Sequence, residues 1–267
     1  MMTSAKFRTF IWRQYRAHGR HNLPWRHTHD VYQILVSEVM LQQTQVERVL
    51  PFYTKFVKKF PTAKKLAQAP LSEVLKSWQG LGYNRRAKLL HRAAKEIRMQ
   101  KSLTITELEA LPGVGPYTAR AVSAFAYNTD VIFIETNIRT AIIHHFFPNK
   151  KKISDKLITG ILERTFPKGK AREWYSALMD YGSYLKRSGT SHNTQSRQYT
   201  KQSRFSGSLR EARGAILREL IRGAVSFERV GKLLGARRQA QMYIALEALL
   251  KEGFVEKRGE QCYALAD

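Results

Sequence analysis

Glu38 is the one carboxylate inside an apolar helical pattern, YQILVSEVMLQQTQV over residues 32–46. On a helix, Val31, Ile34, Leu35, Glu38 and Leu41 share one stripe at three- and four-residue steps. A carboxylate carried into an apolar stripe loses hydration, which disfavours its charged form. Such a group holds a proton near neutral pH and can deliver it, the behaviour of a general acid. A second carboxylate, Glu135, follows the apolar run Val131-Ile132-Phe133-Ile134 and opens a helix at Thr136-Asn137. The dipole and free N–H groups of a helix start favour the ionised form. Taken singly, the first is an ordinary core-edge residue and the second an ordinary helix start. Taken together they offer one carboxyl that keeps its proton and one that loses it.

These residues need a scaffold, and the surrounding pattern predicts helices with short joins. Phe7, Phe10, Ile11 and Tyr15 space as an amphipathic helix that breaks at His18-Gly19. A loop with Leu23-Pro24-Trp25-Arg26 leads into the Glu38 helix, which ends in the polar cluster Gln42-Gln43-Thr44-Gln45. Helices are expected over 49–60, 62–69, 71–79 and 85–100, the last with Leu89, Leu90, Ala93 and Ile97 inward against Arg86, Lys88, Arg92 and Lys95. Gly80-Leu81-Gly82-Tyr83 makes a tight turn that presents an aromatic ring. A short helix over 106–111 has Thr106 and Glu109 spaced as a capping box.

LPGVGPYTA, from residue 111, is the second informative stretch. Its two glycines make a hairpin between helices, and Pro116 suits the first turn of the second helix. Backbone N–H groups at Gly113, Gly115, Tyr117 and Thr118 can then hold a phosphate without reading sequence. Further helices are expected over 138–146, 154–166 and 171–185. Residues 188–207 form a polar, basic linker or arm that could order on DNA. Three helices (209–221, 227–234 and 237–251) and a hairpin around Arg258-Gly259-Glu260 then spell a winged helix over 208–267, a DNA-binding or a packing module.

Composition narrows the partner. Lys plus Arg is 46 and Asp plus Glu is 21, a net of +25. An excess of that size points to a polyanion, nucleic acid before an anionic membrane. No apolar run reaches the ~18 residues of a membrane span, and the first residues have no signal-peptide core, so a cytoplasmic protein is expected, nucleoid-associated if bacterial. Cys262 is the only cysteine, which excludes a disulfide framework and any four-thiolate metal site.

SEVMLQQTQV, GLGYNRRA, LPGVGPYTA and the ETN at the next helix start together resemble the helix-hairpin-helix DNA glycosylase superfamily, the MutY-type adenine glycosylases most closely. The resemblance runs from about Leu23 to Leu185. It implies an all-α, two-lobed helix-hairpin-helix glycosylase fold carrying the winged helix at its C-terminus. One lobe would take 1–27 and 134–187, and a six-helix lobe 28–133, with the hairpin motif at 107–124. It implies a monomer acting on double-stranded DNA with a mispaired or damaged base. By motif match Glu38 is the general acid and then the water activator, and Glu135, with Asn137 and Tyr117 beside it, stabilises the cationic sugar. Trp25 and Arg26 would rim the base pocket, and Gln42, Gln43 and Tyr83 would enter the stack as the base leaves. Tyr117 stands where strand-cleaving relatives have lysine, which implies no lyase activity. The carbonyls of Glu109, Leu111 and Val114 match a monovalent-cation site for Na+ or K+.

The chain departs from that pattern in three places. It lacks the four cysteines of the family's iron–sulfur cluster, so no cofactor is expected. Glu135 replaces an aspartate, and the winged helix replaces the domain that inspects 8-oxoguanine. The expected activity is release of adenine opposite 8-oxoguanine or guanine. Two alternatives stay open: another base (thymine or uracil in G mismatches, or hypoxanthine), and a non-catalytic DNA-binding regulator.

Overall fold

The structure is a computed structural model; it describes residues 2–97, 102–200 and 203–267. The described chain is helical apart from a small C-terminal sheet. In order, the helices are α1 (Ser4–His18), α2 (Val31–Leu41), α3 (Val46–Lys59), α4 (Ala63–Gln68), α5 (Leu71–Trp78), α6 (Arg85–Glu96), α7 (Ile105–Ala110), α8 (Pro116–Tyr127), α9 (Thr136–Phe146), α10 (Asp155–Thr165), α11 (Ala171–Arg187), α12 (Leu209–Leu220), α13 (Phe227–Lys232) and α14 (Gln239–Lys251). The expected helix over 85–100 is described as far as Glu96, and residues 98–100 lie outside the described residues. No described helix is long and apolar enough to cross a membrane.

Two compact units form, one from Met1–Glu38 with Gln100–Lys201 and one from Val39–Met99 with Gln202–Asp267. In the first, α9 and α11 pack over a core built on Phe7, Ile11, Ile138, Ile142, Trp174 and Leu178, all fully buried. Gly182 of α11 permits that packing. A Cβ there would lie 2.0 Å from the Asn137 carbonyl oxygen, so only glycine lets the two backbones approach at Asn137. The helix-hairpin-helix, α7 and α8, belongs to this unit. Pro116 occupies the first turn of α8, as its fixed φ favours. The capping box that starts α7 is Thr104 with Glu107, not Thr106 with Glu109. Two overlapping T-x-x-E sequences compete there, and the earlier one closes both bonds (Glu107 N to Thr104 Oγ1 3.2 Å, Thr104 N to Glu107 Oε2 2.7 Å). Glu109 pairs with Arg120 instead.

The polar segment after α11 does not run free of this unit. It makes a one-turn 3-10 helix at Asn193–Gln195, and Ser196 is buried beside a bridge to Ile153. Backbone bonds from Ile153 N to Gln195 O and from Arg197 N to Ile153 O close that bridge. His144 meets His192 at 3.0 Å, and Thr140 donates to Asn193. Local composition predicted too little apolar surface for order. Hydrogen bonds to α9 and to the turn before α10 supply it instead.

In the second unit, α3, α5 and α6 pack around Phe56, Trp78 and Leu90. The C-terminal module has the expected three helices. Its hairpin, β2 (Val255–Arg258) and β3 (Cys262–Leu265), gains a third strand, β1 (Val225–Ser226), in the order β1-β3-β2. Val225 pairs with Tyr263 and Val255 with Leu265. Two residues carry no periodicity, so β1 had no sequence signal.

Candidate active site

Glu38 lies in the last turns of α2. The helix is not amphipathic: Ile34, Leu35, Val36, Val39 and Met40 are buried around it, so no turn of the helix would bring Glu38 to water. Its side chain is 6 % exposed. The carboxylate accepts one hydrogen bond across the unit, from the Tyr117 hydroxyl of α8 at 3.1 Å. Burial lifts its pKa to about 7, the Tyr117 hydroxyl opposes that lift, and the Glu135 charge adds to it. The Tyr117 hydroxyl itself is held well above its usual range by burial and by the two carboxylates, so it stays a donor.

Glu135 is the N-cap of α9, as its position predicted. It accepts from the backbone N–H groups of Asn137 (2.6 Å) and Ile138 (2.7 Å) and from the Asn137 side-chain amide (3.2 Å). The expectation that capping alone would keep it readily ionised needs correction. Burial raises its pKa, and the backbone bond from Asn137, the Lys186 charge, the bond from Ile138 and Arg139 act in the opposite sense. Lys186 donates to Asn137 Oδ1 at 2.8 Å, which fixes the amide with its NH2 toward Glu135. The asymmetry is chemical: Glu38 has one long bond from a hydroxyl, whereas Glu135 has three donors and a nearby ammonium.

The loop before α2 is clamped from below. Trp25 is buried in a 3-10 turn. Arg26 points both prongs at the buried Asp180 of α11 (Nη1 to Oδ2 2.6 Å, Nη2 to Oδ1 2.8 Å), and Arg20 completes a partly buried triad through Nε at 2.6 Å. Burial pushes the Asp180 carboxyl up, but the two guanidiniums hold it below its ordinary value. Arg172 ties the next residues by donating to the Arg26 and Thr28 carbonyls, each at 2.7 Å.

Gln42, Gln43 and Tyr83 belong to the second unit. Gln43 (φ 54°) and Tyr83 (φ 50°) are both left-handed, which turns each out of the helix beside it. A guanidinium organises this region: Arg86 Nη1 donates to the carbonyls of Val39 and Met40 at 2.9 Å and of Gln42, so it caps the end of α2. It also lies 5.6 Å from the Trp78 ring centroid and 5.3 Å from that of Tyr83. Sequence reasoning put Arg86 on the solvated face of α6, whereas it is buried with Ala87, Leu90 and Ala94. Its four-residue step to Leu90 was the available signal.

At the hairpin, Gly113 is left-handed (φ 79°), as the turn requires. Gly115 is exposed, has an ordinary φ of −94°, and a Cβ there would meet nothing within 4 Å. Neither conformation nor internal packing demands glycine at that position. Leu111 O closes the turn by accepting from Val114 N at 3.1 Å. The sole cysteine, Cys262, is on β3, so the chain's donor set does not fit a thiolate-held cluster.

Residues 36–168 match the model of the HhH-GPD superfamily base excision DNA repair proteins, a span that holds both glutamates, Tyr117, Asn137 and the hairpin. The adenine DNA glycosylase of Mycolicibacterium smegmatis is 33% identical, with 93% of this chain and 92% of that protein aligned. The chain belongs to the HhH-GPD superfamily. Within it, the adenine DNA glycosylase of Buchnera aphidicola subsp. Baizongia pistaciae is 34% identical over 69% of this chain, a match that spans 54%, about half, of that relative's length. A thermostable thymine-DNA glycosylase structure, 27% identical, aligns with a TM-score of 0.57 over 67% of this chain and 86% of its own. A non-covalent endonuclease III–DNA complex shares the fold (TM-score 0.58, 18% identity, 72% of this chain and 92% of that chain).

Proposed function

We propose that this HhH-GPD protein is a monofunctional DNA glycosylase of base excision repair that hydrolyses the N-glycosidic bond of a mispaired base, adenine opposite 8-oxoguanine or guanine. The observation that carries the reading is the buried Glu38, whose pKa of about 7 leaves it protonated often enough to act as an acid at neutral pH. Glu38 gives its proton to N7 of the extruded adenine, and the C1′–N9 bond breaks with its electron pair going to the base. The sugar cation is met by the Glu135 carboxylate, held by Asn137 and Lys186. Glu38, now ionised, takes a proton from the water that adds to C1′, which restores the acid. Tyr117 offers no amine for a Schiff base, which supports hydrolysis without strand cleavage.

The grip on DNA is assigned to backbone N–H groups at Gly113, Gly115, Tyr117 and Thr118. The open space over Gly115 supports this, because glycine there leaves room for a phosphate. The carbonyls of Glu109, Leu111 and Val114 are the proposed seat of a monovalent ion. Gln42, Gln43 and Tyr83 are assigned to the gap left by the base, with Trp25 and Arg26 at the rim of its pocket. Glu135 in place of aspartate keeps one alternative alive, a thymine, uracil or hypoxanthine substrate.

The test is single-turnover base release from duplexes with adenine opposite 8-oxoguanine, guanine and cytosine, plus thymine, uracil and hypoxanthine in mismatches, with wild type and Glu38→Gln. Adenine release that Glu38→Gln abolishes is the expected result. Release of another base moves the specificity, and release that survives Glu38→Gln removes the mechanism.

A further inference from the structure

Tyr83 is held from the C-terminal module. Arg210, in the first turn of α12, donates from Nη1 to the Tyr83 hydroxyl at 2.8 Å, and its guanidinium lies 5.8 Å from the ring centroid. The buried Arg86 also lies against the ring, 5.3 Å from its centroid. Arg210 is itself fixed, because Nη2 donates to the Ser203 carbonyl at 2.7 Å and to its hydroxyl at 3.2 Å. The module that supplies it is moored to α6. Lys88 donates to the carbonyls of Glu252 and Gly253 and lies 5.0 Å from the Phe254 ring centroid. Ser72 of α5 also donates to Asp267, at the end of the module.

The tyrosine needs such a hold. It follows Gly82 (φ 76°) and is itself at φ 50°, a conformation that costs a non-glycine residue free energy, and it keeps 36 % of its surface exposed. A half-exposed ring on a left-handed residue samples other positions unless something fixes its tip. The Arg210 bond fixes the hydroxyl, and the two guanidiniums fix the ring by cation–π attraction.

We propose that Arg210 is a positioning residue for Tyr83, and that through it the C-terminal module is part of the base-extruding apparatus. The proposal rests on the reading of Tyr83 as a residue that enters the DNA stack. On it, the module sets how readily the ring enters the duplex, and so acts on discrimination between paired and mispaired bases without itself touching a base.

The experiment uses the full chain and two readouts. Extrusion is followed by the fluorescence of 2-aminopurine beside the target adenine, in a Glu38→Gln background so that no bond breaks. Base release is followed in single turnover with Glu38 intact. Arg210→Ala should slow extrusion by about tenfold, the size expected for losing a charged hydrogen bond. Binding of undamaged duplex should change less than about twofold, and Arg210→Lys should recover part of the rate. In a Tyr83→Phe background, which has lost the hydroxyl but keeps the ring, Arg210→Ala should have a clearly smaller effect than in the wild type. Equal effects in both backgrounds, unchanged extrusion, or weakened binding to every duplex would each overturn the proposal, the last making Arg210 a phosphate contact. Melting temperatures of all variants separate these outcomes from misfolding. If Tyr83→Ala leaves extrusion intact, the wedge reading itself is wrong; if Tyr83→Ala slows extrusion and Arg210→Ala does not, only the role of Arg210 falls.

Discussion

Tyr117→Phe should move the alkaline limb of base release to higher pH. In the proposed mechanism Glu38 is an acid only while protonated, so the rate should fall as pH rises through its pKa of about 7. The Tyr117 hydroxyl donates to the ionised carboxylate and thereby favours loss of the proton. Removing the hydroxyl takes that support away, and the pKa rises. Hydrogen bonds to charged groups contribute about 1.5–3 kcal/mol, but at 3.1 Å this one is longer than the 2.5–2.7 Å of strong O–H···O⁻ bonds. About 1 kcal/mol is therefore the fitting magnitude, or about 0.7 pH unit. Phenylalanine keeps the edge-to-face contact with Phe133, 5.7 Å between centroids, so the fold should survive. The assay is single-turnover release from pH 5 to 9. A limb that stays in place, or moves to lower pH, would refute the idea that Tyr117 tunes Glu38.

Glu38→Gln should stabilise the protein at alkaline pH. A carboxyl raised from 4.5 to about 7 by burial destabilises the fold progressively as pH rises through that window, so the variant should gain up to about 3 kcal/mol at pH 8 and nothing near pH 4, read as melting temperature against pH. Lys186→Met removes a charge that favours ionised Glu135, so activity should be lost at higher pH on the acid side, and Lys186→Arg should restore it. Gly182→Ala forces a Cβ against the Asn137 backbone and should cost about 1–3 kcal/mol in thermal unfolding together with most of the activity, because the start of α9 must shift. Gly115→Ala should leave the melting temperature unchanged and weaken binding to every duplex alike, measured by anisotropy.

What the sequence made legible was whatever depends on near neighbours. The helices, Pro116 at the start of α8, the left-handed Gly113 and the capping position of Glu135 all follow from a few adjacent residues. The burial of Glu38 was readable because the apolar run around it is so dense. The supports of the site were not readable, because their partners are far apart along the chain. Arg26 and Asp180 are 154 residues apart, and nothing near either announces the other. Arg86 resembles any other arginine on a basic helix until the end of α2 comes to rest on it. Gly182 looks permissive in sequence and is required only because Asn137 lies against it. Local physics locates the two carboxyl groups, whereas tertiary contacts determine how firmly they are held.

The anchoring of the segment that follows α11 has a structural consequence. Its anchors are an imidazole pair, a threonine–asparagine bond and two backbone bonds to Ile153. All of these are hydrogen bonds within one folded unit. Loss of the fold around α9 and α11 would therefore release this segment as well.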